Sequence, residues 1–222
     1  MKIYQVEISN YCNLSCGYCP YSIQKRKKGF MTFETFKKVV KLAKKCGQKE
    51  IYLHNFGEPL LHPKIYEFIS YATNNNLECS FYTNGLLLNK ENIKKLYEVG
   101  IKKISISDHV KDTHLKVEKL LRETNVPIKI EDIYIPIEVH NWAGQVKDDR
   151  CNHFSKKDNT PCIFQRKDAF VILWNGDIAS CCLDCEGISV KQNIDDVLKK
   201  GYKFSPFKLC SNCDLMRGDE EL

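Results

Sequence analysis

The sequence predicts an α/β protein whose main part is an open or partial barrel of five or six strand–helix units. Short β-branched segments alternate with helical segments of about 10–15 residues, which indicates right-handed βαβ units and a parallel sheet. Five or six units are too few for a closed eight-stranded barrel, which takes about 250 residues. From about Asn141 the alternation stops and cysteines accumulate, so residues 1–140 and 141–222 are predicted to form two parts.

The predicted elements follow in order along the first part. Ile3 to Ile8 alternates between apolar and polar side chains, as half-buried strands do. Thr32 to Cys46 has the apolar spacing of a helix, with Thr32 as its predicted N-cap and Gly47 as its C-terminal stop. The other predicted strands are residues 50–54, 77–82, 101–107 and 128–139, the last with a break at Pro136. The other predicted helices are residues 63–71, 90–99 and 113–123.

The carboxyl ends of these strands are the predicted location of the functional site. In open parallel sheets, ligands bind at that edge. The rule gathers four loop segments around one mouth: residues 9–20, 55–59, 83–85 and 107–109.

Composition excludes several classes of protein. Of 222 residues, 43% are apolar, which is enough for a core and excludes a mainly disordered chain. No apolar run approaches the ~18–20 residues of a membrane helix, and the N-terminus lacks a secretory h-region, so a cytoplasmic protein is expected. The net charge of +6 suits an anionic ligand or acidic partner without requiring nucleic acid. Twelve cysteines in a reducing compartment indicate metal ligands or redox groups.

Three of these cysteines, Cys12, Cys16 and Cys19, follow the first strand in the run CNLSCGYCP. Thiolates hold iron–sulfur clusters, usually four to a cubane. Three protein ligands leave one iron open for a ligand from outside the protein. Structural zinc or unpaired buried thiols are the alternatives.

This Cys-x3-Cys-x2-Cys run, placed after strand one of a partial βα barrel, resembles the radical S-adenosylmethionine (SAM) superfamily. The resemblance implies a TIM-like partial (βα)5–6 barrel and a [4Fe–4S] cluster whose open iron chelates SAM. It also implies reductive cleavage of SAM to a 5′-deoxyadenosyl radical that abstracts a hydrogen atom from substrate. Tyr18 matches the aromatic position that usually lies near the adenine.

The resemblance extends to the ends of later strands. It implies that Glu58 accepts a hydrogen bond from the SAM ammonium and that two serines on the fourth strand, which face one side, meet SAM. Asn84 is either a contact for ligand hydroxyls or a turn residue. The SAM-binding residues predicted in this way, besides Tyr18, are Gly57, Glu58, Pro59, Asn84, Ser105 and Ser107. Asp108 is expected to cap the following helix or to face substrate, and His109 and His114 are expected to be exposed loop residues.

The second part contains PCIFQRKDAFVILWNGDIASCCLDC and then LCSNC. A hairpin turned at Asn175-Gly176 brings the regions of the first and second of these cysteines together, and the Cys-x2-Cys turn can close a four-thiolate site. The pattern resembles the SPASM/twitch extension of radical SAM enzymes, in its short form. The resemblance implies one auxiliary [4Fe–4S] cluster held by Cys162, Cys181, Cys210 and Cys213. Cys182 or Cys185 in place of Cys181, and a zinc ribbon in place of the cluster, are the alternatives.

Two further residues of this part are candidate catalytic groups. Asp184 is placed to take a proton from an oxidising alcohol or amide, or else to solvate its loop. Cys182, or Cys185, is placed to return a hydrogen atom in an epimerisation. The residues alone leave oxidation and epimerisation both open.

The expected substrate is small and polar, such as a sugar or aminocyclitol. Strand one starts at residue 3 and the chain stops shortly after Cys213, which leaves no space for a peptide-leader domain. Modification of a ribosomal peptide is the alternative reaction, and an iron–sulfur electron carrier or zinc-stabilised binding protein is the alternative class. A flavodoxin or ferredoxin is the expected electron donor.

Two further features are interpreted as structural. The basic run Lys25 to Lys28 is interpreted as a solvated loop, and nucleic acid is not an expected partner. Trp142 is interpreted as a packing residue.

Overall fold

The structure, a computed structural model, describes residues 1–151 and 161–213. Its strands are β1 (Lys2–Val6), β2 (Glu50–Tyr52), β3 (Glu78–Ser80), β4 (Tyr82–Thr83), β5 (Lys103–Ser107), β6 (Lys129–Tyr134), β7 (Ala169–Ile172), β8 (Asp177–Ala179) and β9 (Gln192–Asn193). Its α-helices are α1 (Phe33–Lys45), α2 (Ile65–Asn74), α3 (Lys90–Glu98), α4 (Thr113–Thr124), α5 (Ile163–Lys167) and α6 (Ile194–Lys200). Short 3-10 helices span Pro20–Ile23, Pro59–Leu61 and Lys208–Asn212.

The strands of the first part run parallel and form an open barrel. β2 pairs with β3, and β4, β5 and β6 pair in that order, every pair parallel. β1 packs beside β2, and the described strands do not close into a ring. The α/β class and the partial barrel predicted from the sequence are therefore confirmed.

The helices cover this sheet with apolar side chains. Thr32 caps α1 as predicted, since its hydroxyl accepts a hydrogen bond from the Thr35 amide at 3.1 Å. Phe36 of α1 stacks on Phe68 of α2 with ring centroids 4.2 Å apart, and both rings are fully buried. No helix that the structure describes is long and apolar enough to cross a membrane.

Three predicted elements differ from the structure. The single strand predicted for residues 77–82 is divided at Phe81, because β3 pairs with β2 whereas β4 pairs with β5. The helix predicted from Pro63 begins at Ile65. The strand-like segment predicted for residues 128–139, with a break at Pro136, forms a strand only as far as Tyr134, and Pro136 has no backbone N–H for a sheet.

The C-terminal hairpin is joined to the barrel by hydrogen bonds. β7 pairs parallel with β1, and β8 pairs antiparallel with β7 through the predicted turn at Asn175-Gly176. Alternate side chains of β7 point to opposite faces. Phe170 and Ile172 belong to the barrel core, whereas Ala169 and Val171 belong to a second apolar cluster with the C-terminal cysteines. β7 thus contributes to both cores, and a division near residue 140 stays a prediction.

Candidate active site

A cavity of about 400 Å³ lies at the carboxyl ends of the barrel strands. We call it the barrel cavity. Many of the predicted site residues line it: Cys12, Cys16, Tyr18, Cys19, Gly57, Glu58, Asn84, Ser107 and Cys182. The edge of the sheet that the sequence predicts as functional is therefore a concave site.

Cys12, Cys16 and Cys19 lie on one loop of the barrel cavity. The Cys12 amide donates a hydrogen bond to the Tyr21 hydroxyl at 3.0 Å, and the Cys19 amide donates to the Cys16 carbonyl at 3.0 Å. Burial raises the pKa of Cys12, and it raises the pKa of Cys19 to about 11. Because the free thiolates are disfavoured in this half-buried site, a bound cation or cluster would neutralise the charge that they develop.

Gly57 brings a second loop into contact with this thiol loop. Its φ is +108°, and a Cβ atom built there would lie 2.6 Å from the Ser9 carbonyl oxygen and 2.8 Å from the Tyr11 carbonyl oxygen. The next amide, of Glu58, donates to the Tyr11 carbonyl at 2.7 Å. Only glycine allows so close an approach at a positive φ.

Glu58 is buried beside the thiol loop and is held by three donors. Its Oε1 accepts from the Thr83 hydroxyl at 2.7 Å and from the Leu60 amide at 3.0 Å, and its Oε2 accepts from the Asn84 amide at 2.9 Å. Burial raises the pKa of this carboxyl, and the three hydrogen bonds oppose the rise. A carboxylate offers about four lone-pair sites, so Glu58 keeps acceptor capacity for a ligand.

Tyr18 forms one wall of the cavity together with residues from distant segments. Its hydroxyl shares a hydrogen bond with His109 Nδ1 at 2.8 Å, and the Arg150 guanidinium lies 4.6 Å from its ring centroid. Its carbonyl accepts from the indole of Trp142 at 3.0 Å. Tyr18 is therefore fixed by contacts from three residues outside the thiol loop.

Two histidines differ from their interpretation as exposed loop residues. His109 lines the cavity, and burial lowers its pKa. His114 lies in α4, where its Nδ1 is 2.6 Å from Asp108 Oδ2. The other oxygen of Asp108 accepts from the Thr113 amide at 2.7 Å, so Asp108 satisfies the start of α4, one of its two predicted roles.

Four other predicted residues take separate positions. Asn84 lines the cavity and donates to Asn13 of the thiol loop at 2.7 Å. Ser107 also lines it, whereas Ser105 is buried deeper in β5 and is not among the lining residues. Pro59 begins a 3-10 helix behind Glu58 and does not line the cavity either.

Asp184 is placed away from the barrel cavity. Its carboxylate accepts from the Ile188 amide at 2.9 Å and from the amide and hydroxyl of Ser189 at 2.8 and 2.5 Å. These hydrogen bonds satisfy both carboxylate oxygens within the 184–189 turn. They correspond to the loop-solvating role that the sequence leaves open beside the catalytic one. Cys182, two residues earlier, does line the cavity.

The four predicted auxiliary ligands surround a second, smaller cavity. Cys162 at the start of α5, Cys181 after β8, and Cys210 and Cys213 line it together with Phe164, Leu183, Phe204, Phe207 and Leu209. Burial raises the pKa of Cys181 well above its ordinary value. Cys185 is not among the lining residues; its thiol donates to Gln145 Oε1 at 3.3 Å.

The two thiol sets fit clusters by their donor chemistry. A cubane receives one thiolate on each iron that the protein ligates, so thiols that surround a cavity are a suitable donor set. Zinc binds the same thiolates and is the alternative at both sets. Three cysteines meet the barrel cavity, and four meet the second cavity.

The basic run after the thiol loop is not the solvated loop that its composition suggests. Arg26 turns inward and pairs with the fully buried Glu7, with Nη2 and Oε2 2.8 Å apart. Lys28 lies over the Tyr21 ring, 3.7 Å from its centroid. Lys25 and Lys27 are the members of the run that stay exposed.

Sequence reasoning missed several residues of the site. His54 lines the cavity; burial lowers its pKa to about 3, and its Nδ1 accepts from the Tyr82 amide at 3.3 Å. Trp142, interpreted as packing, also lines it. His54 lies two residues after Tyr52, the last residue of β2, and the period of two along an extended chain is the signal that would have put both side chains on one face. Other missed lining residues are Tyr4, Gln5, Tyr82, Tyr134 and His140.

Comparison with known proteins identifies the family. The model of the radical SAM superfamily matches residues 6–134, and the chain belongs to this superfamily. The superfamily uses a [4Fe–4S] cluster and SAM, which are the cofactors predicted from the thiol loop. The protein is therefore a radical SAM enzyme.

Two curated relatives match about half of the chain. The chain is 31% identical over 121 residues to the tungsten-containing aldehyde ferredoxin oxidoreductase cofactor-modifying protein of Pyrococcus furiosus, covering 54% of this chain and 34% of that protein. It is 32% identical over 114 residues to the S-adenosyl-L-methionine-dependent 2-deoxy-scyllo-inosamine dehydrogenase of Niallia circulans, covering 50% and 46%. The aligned segments thus span a third to a half of the relatives' own length.

A solved structure extends the likeness to the C-terminal part. The crystal structure of BtrN in complex with AdoMet and 2-DOIA superposes with a TM-score of 0.70 at 24% identity, over 88% of this chain and 79% of that one. At this identity the match shows a shared fold. It reaches beyond the barrel, and the predicted radical SAM fold with a twitch-type extension is confirmed.

Glu58→Gln is expected to weaken SAM binding while leaving the iron content unchanged. The amide keeps the shape but replaces a charged acceptor, whose hydrogen bonds are worth about 1.5–3 kcal/mol each. The dissociation constant for SAM, measured by equilibrium binding to the anaerobically purified protein without reductant, should rise roughly tenfold to a hundredfold. Glu67→Gln, on the exposed face of α2, is the matched control. Unchanged SAM affinity in Glu58→Gln would exclude Glu58 as a SAM ligand.

Proposed function

We propose that this enzyme uses SAM to oxidise a small, uncharged or cationic polar substrate of the sugar or aminocyclitol kind. The observation that carries the proposal is the lining of the barrel cavity. Among its described lining residues there is no Lys or Arg, and Glu58 is the acidic residue. A phosphorylated substrate normally meets Arg or Lys, so this cavity suits hydroxyl and amino groups.

The remaining lining gives hydrogen-bonding and stacking surface. Tyrosines, histidines and Trp142 present flat apolar faces with polar edges, which suit a ring that carries hydroxyl groups. His109 is neutral because burial lowers its pKa, and a neutral imidazole has one nitrogen able to accept a proton. We assign His109, in place of Asp184, as the proton acceptor when a carbinol is oxidised.

A [4Fe–4S] cluster held by Cys12, Cys16 and Cys19 would supply the electron that cleaves SAM to methionine and a 5′-deoxyadenosyl radical. The protein's own residues bind, orient and shield. Cys12, Cys16 and Cys19 hold the cluster, Glu58 and Asn84 orient SAM, and Tyr18 borders the adenine. Loss of a hydrogen atom, then of a proton and an electron, converts an alcohol to a carbonyl.

In this proposal Cys162, Cys181, Cys210 and Cys213 would hold an auxiliary [4Fe–4S] cluster, which would supply an acceptor for that last electron. Cys182 lies between the two sites. It lines the barrel cavity and packs in the apolar cluster that contains Cys162 and Cys213. A carrier of the flavodoxin or ferredoxin type supplies electrons to the first cluster, and a reducing cytoplasm suits both thiol sets.

The function is tested with 2-deoxy-scyllo-inosamine deuterated at each carbinol carbon in turn. With SAM and dithionite, we expect 5′-deoxyadenosine and an oxidised product in equal amounts, with deuterium transferred to 5′-deoxyadenosine from one position. A nucleoside triphosphate serves as the anionic comparison and should give no product. Substrate-independent SAM cleavage with every aminocyclitol and sugar tried would reject this substrate class.

Cys213→Ala and Cys210→Ala are expected to lower the iron content from about eight to about four atoms per chain, since each cubane holds four. SAM cleavage should persist, whereas product formation should stop. Cys46→Ala, at the end of α1, is the control and should keep about eight. Iron and zinc are measured by plasma mass spectrometry after anaerobic purification. If the wild type contains zinc at this site, the four thiols hold a structural metal and the proposed auxiliary cluster is wrong.

A second reaction is favoured by Cys182 itself. A thiol that lines the cavity is placed to return a hydrogen atom to a substrate radical, as epimerisation of a peptide residue or sugar carbon requires. Turnover in D₂O distinguishes the reactions, because returned hydrogen leaves solvent deuterium on the product carbon. Deuterium that disappears in Cys182→Ala would support epimerisation, and product without carbon-bound deuterium would support oxidation.

A further inference from the structure

A buried ion pair lies where the two parts of the protein meet. Glu7 follows β1 and is completely buried, and Arg26 follows the thiol loop. Arg26 Nη1 donates to Glu7 Oε1 at 2.9 Å, and Nη2 donates to Oε2 at 2.8 Å. This two-pronged contact fixes the direction as well as the position of the guanidinium.

A third nitrogen of the Arg26 guanidinium, Nε, contacts the C-terminal part of the chain. Its Nε donates to the Cys185 carbonyl at 2.7 Å, and the Gln24 side chain donates to the same oxygen at 2.9 Å. Between them, the Lys25 amide donates to Glu186 Oε1 at 2.7 Å. Residues 24–26 therefore hold the 181–186 loop by three hydrogen bonds to two acceptors, the Cys185 carbonyl and the Glu186 carboxylate.

The same carboxylate also reaches the second strand. Asn55, which lines the barrel cavity just before Gly57, donates to Glu7 Oε2 at 3.2 Å. The Glu7 amide in turn donates to the Ile172 carbonyl of β7 at 2.8 Å. One ion pair thus connects the thiol loop, the Gly57 loop and the C-terminal hairpin.

Stability alone is a poor reason for this arrangement. The cost of removing two charges from water usually offsets their attraction, and well-packed apolar residues often serve a core as well or better. Burial raises the pKa of Glu7, which reflects that cost. What apolar side chains cannot provide is a fixed mutual direction, because their packing is not directional.

We infer that Arg26 is a positioning residue that sets the Cys181–Cys185 loop against the Cys12–Cys19 loop. Through this loop it places Cys182 and Leu183, which form the C-terminal wall of the barrel cavity. The placement of Cys181 toward an auxiliary cluster rests on the proposed function, whereas the placement of the wall does not.

The test compares Arg26→Lys, Arg26→Met and Glu7→Gln with Lys27→Met, a change to the exposed neighbour in the same basic run. Lys keeps the charge at position 26 but cannot contact both carboxylate oxygens and the carbonyl together. Hydrogen–deuterium exchange is measured by mass spectrometry on the full chain, purified anaerobically. We expect the amides of 181–190 to exchange at least tenfold faster in all three variants, with α3 and α4 unchanged, and no effect of Lys27→Met.

The second readout is the ratio of 5′-deoxyadenosine to product. A displaced wall lets radicals form without productive transfer, so the ratio should rise severalfold, whereas loss of folded protein lowers both quantities together. Uniformly faster exchange, or an unchanged 181–190 segment, would reduce the pair to a stabilising contact and overturn the inference. If the variants exchange faster only at 181–190 and the wild type contains about four irons, the positioning role of Arg26 is supported and the auxiliary cluster is rejected.

Discussion

Replacement of Cys12, Cys16 and Cys19 by Ala together is expected to abolish SAM cleavage and to lower the iron content from about eight to about four atoms per chain. The three thiols lie on one loop of the barrel cavity, and that loop contains no fourth cysteine to replace them. Formation of 5′-deoxyadenosine with SAM and dithionite is measured by liquid chromatography beside the metal analysis. The loss should be complete, because the proposed auxiliary cluster has four protein thiolates and therefore no open iron that could bind SAM.

The control for this experiment is the double variant Cys46→Ala/Cys79→Ala. These cysteines lie at the end of α1 and in β3, away from both thiol sets, and should leave both iron and 5′-deoxyadenosine unchanged. Residual SAM cleavage in the triple variant would contradict the assignment of the first cluster. About four irons in the wild type and none in the triple variant would support the first cluster and its radical chemistry, and would reject the second cluster.

Gly57→Ala is expected to have the second largest effect. The added Cβ would meet the Ser9 and Tyr11 carbonyl oxygens at 2.6 and 2.8 Å, and the backbone there has a φ of +108°. Backbone strain of this kind costs roughly 1–3 kcal/mol, and here relief requires the Gly57 loop to move away from the thiol loop. We therefore expect SAM affinity to fall at least tenfold and the first cluster to be lost on dilution.

Gly17→Ala is the matched control, because Gly17 lies in the thiol loop itself but has no atom within 4 Å of a built Cβ and no positive φ. It should be neutral or slightly stabilising, since alanine restricts the unfolded chain. The free energy of unfolding and the SAM dissociation constant are measured for both variants. Equal effects of the two substitutions would show that close contact at Gly57 is not required.

Local pattern was sufficient for much of the barrel. Thr32 caps its helix as predicted, the Asn175-Gly176 turn makes its hairpin, and the strand ends gather at one cavity. These features depend on neighbours in sequence or on the chirality of βαβ units, which the chain itself specifies. Predictions that depended on distant partners were less exact: residues 77–82 divide because the two halves pair with different strands.

The roles of charged and polar residues were decided by packing. Lys25 to Lys28 reads as a solvated run, yet Arg26 is enclosed by Glu7 and the Cys185 carbonyl. The sequence leaves Asp184 as either a catalytic carboxylate or a residue that solvates its loop, and the structure shows its oxygens bonded to residues 188 and 189. Sequence gives the charge of a side chain but not the donors that surround it.

The sequence by itself determined the α/β barrel and the two cysteine sets, because thiolate ligation and strand–helix alternation depend on residue type and spacing. The superfamily was implied by the resemblance of the Cys-x3-Cys-x2-Cys run. The tertiary structure decided which side chains share the cavity: His54, His109 and Trp142 come from segments far apart in the chain. It also decided that β7 joins β1, and that Arg26 links the thiol loop to the C-terminal loop. Such contacts arise when separate elements pack, and no local pattern specifies the partner.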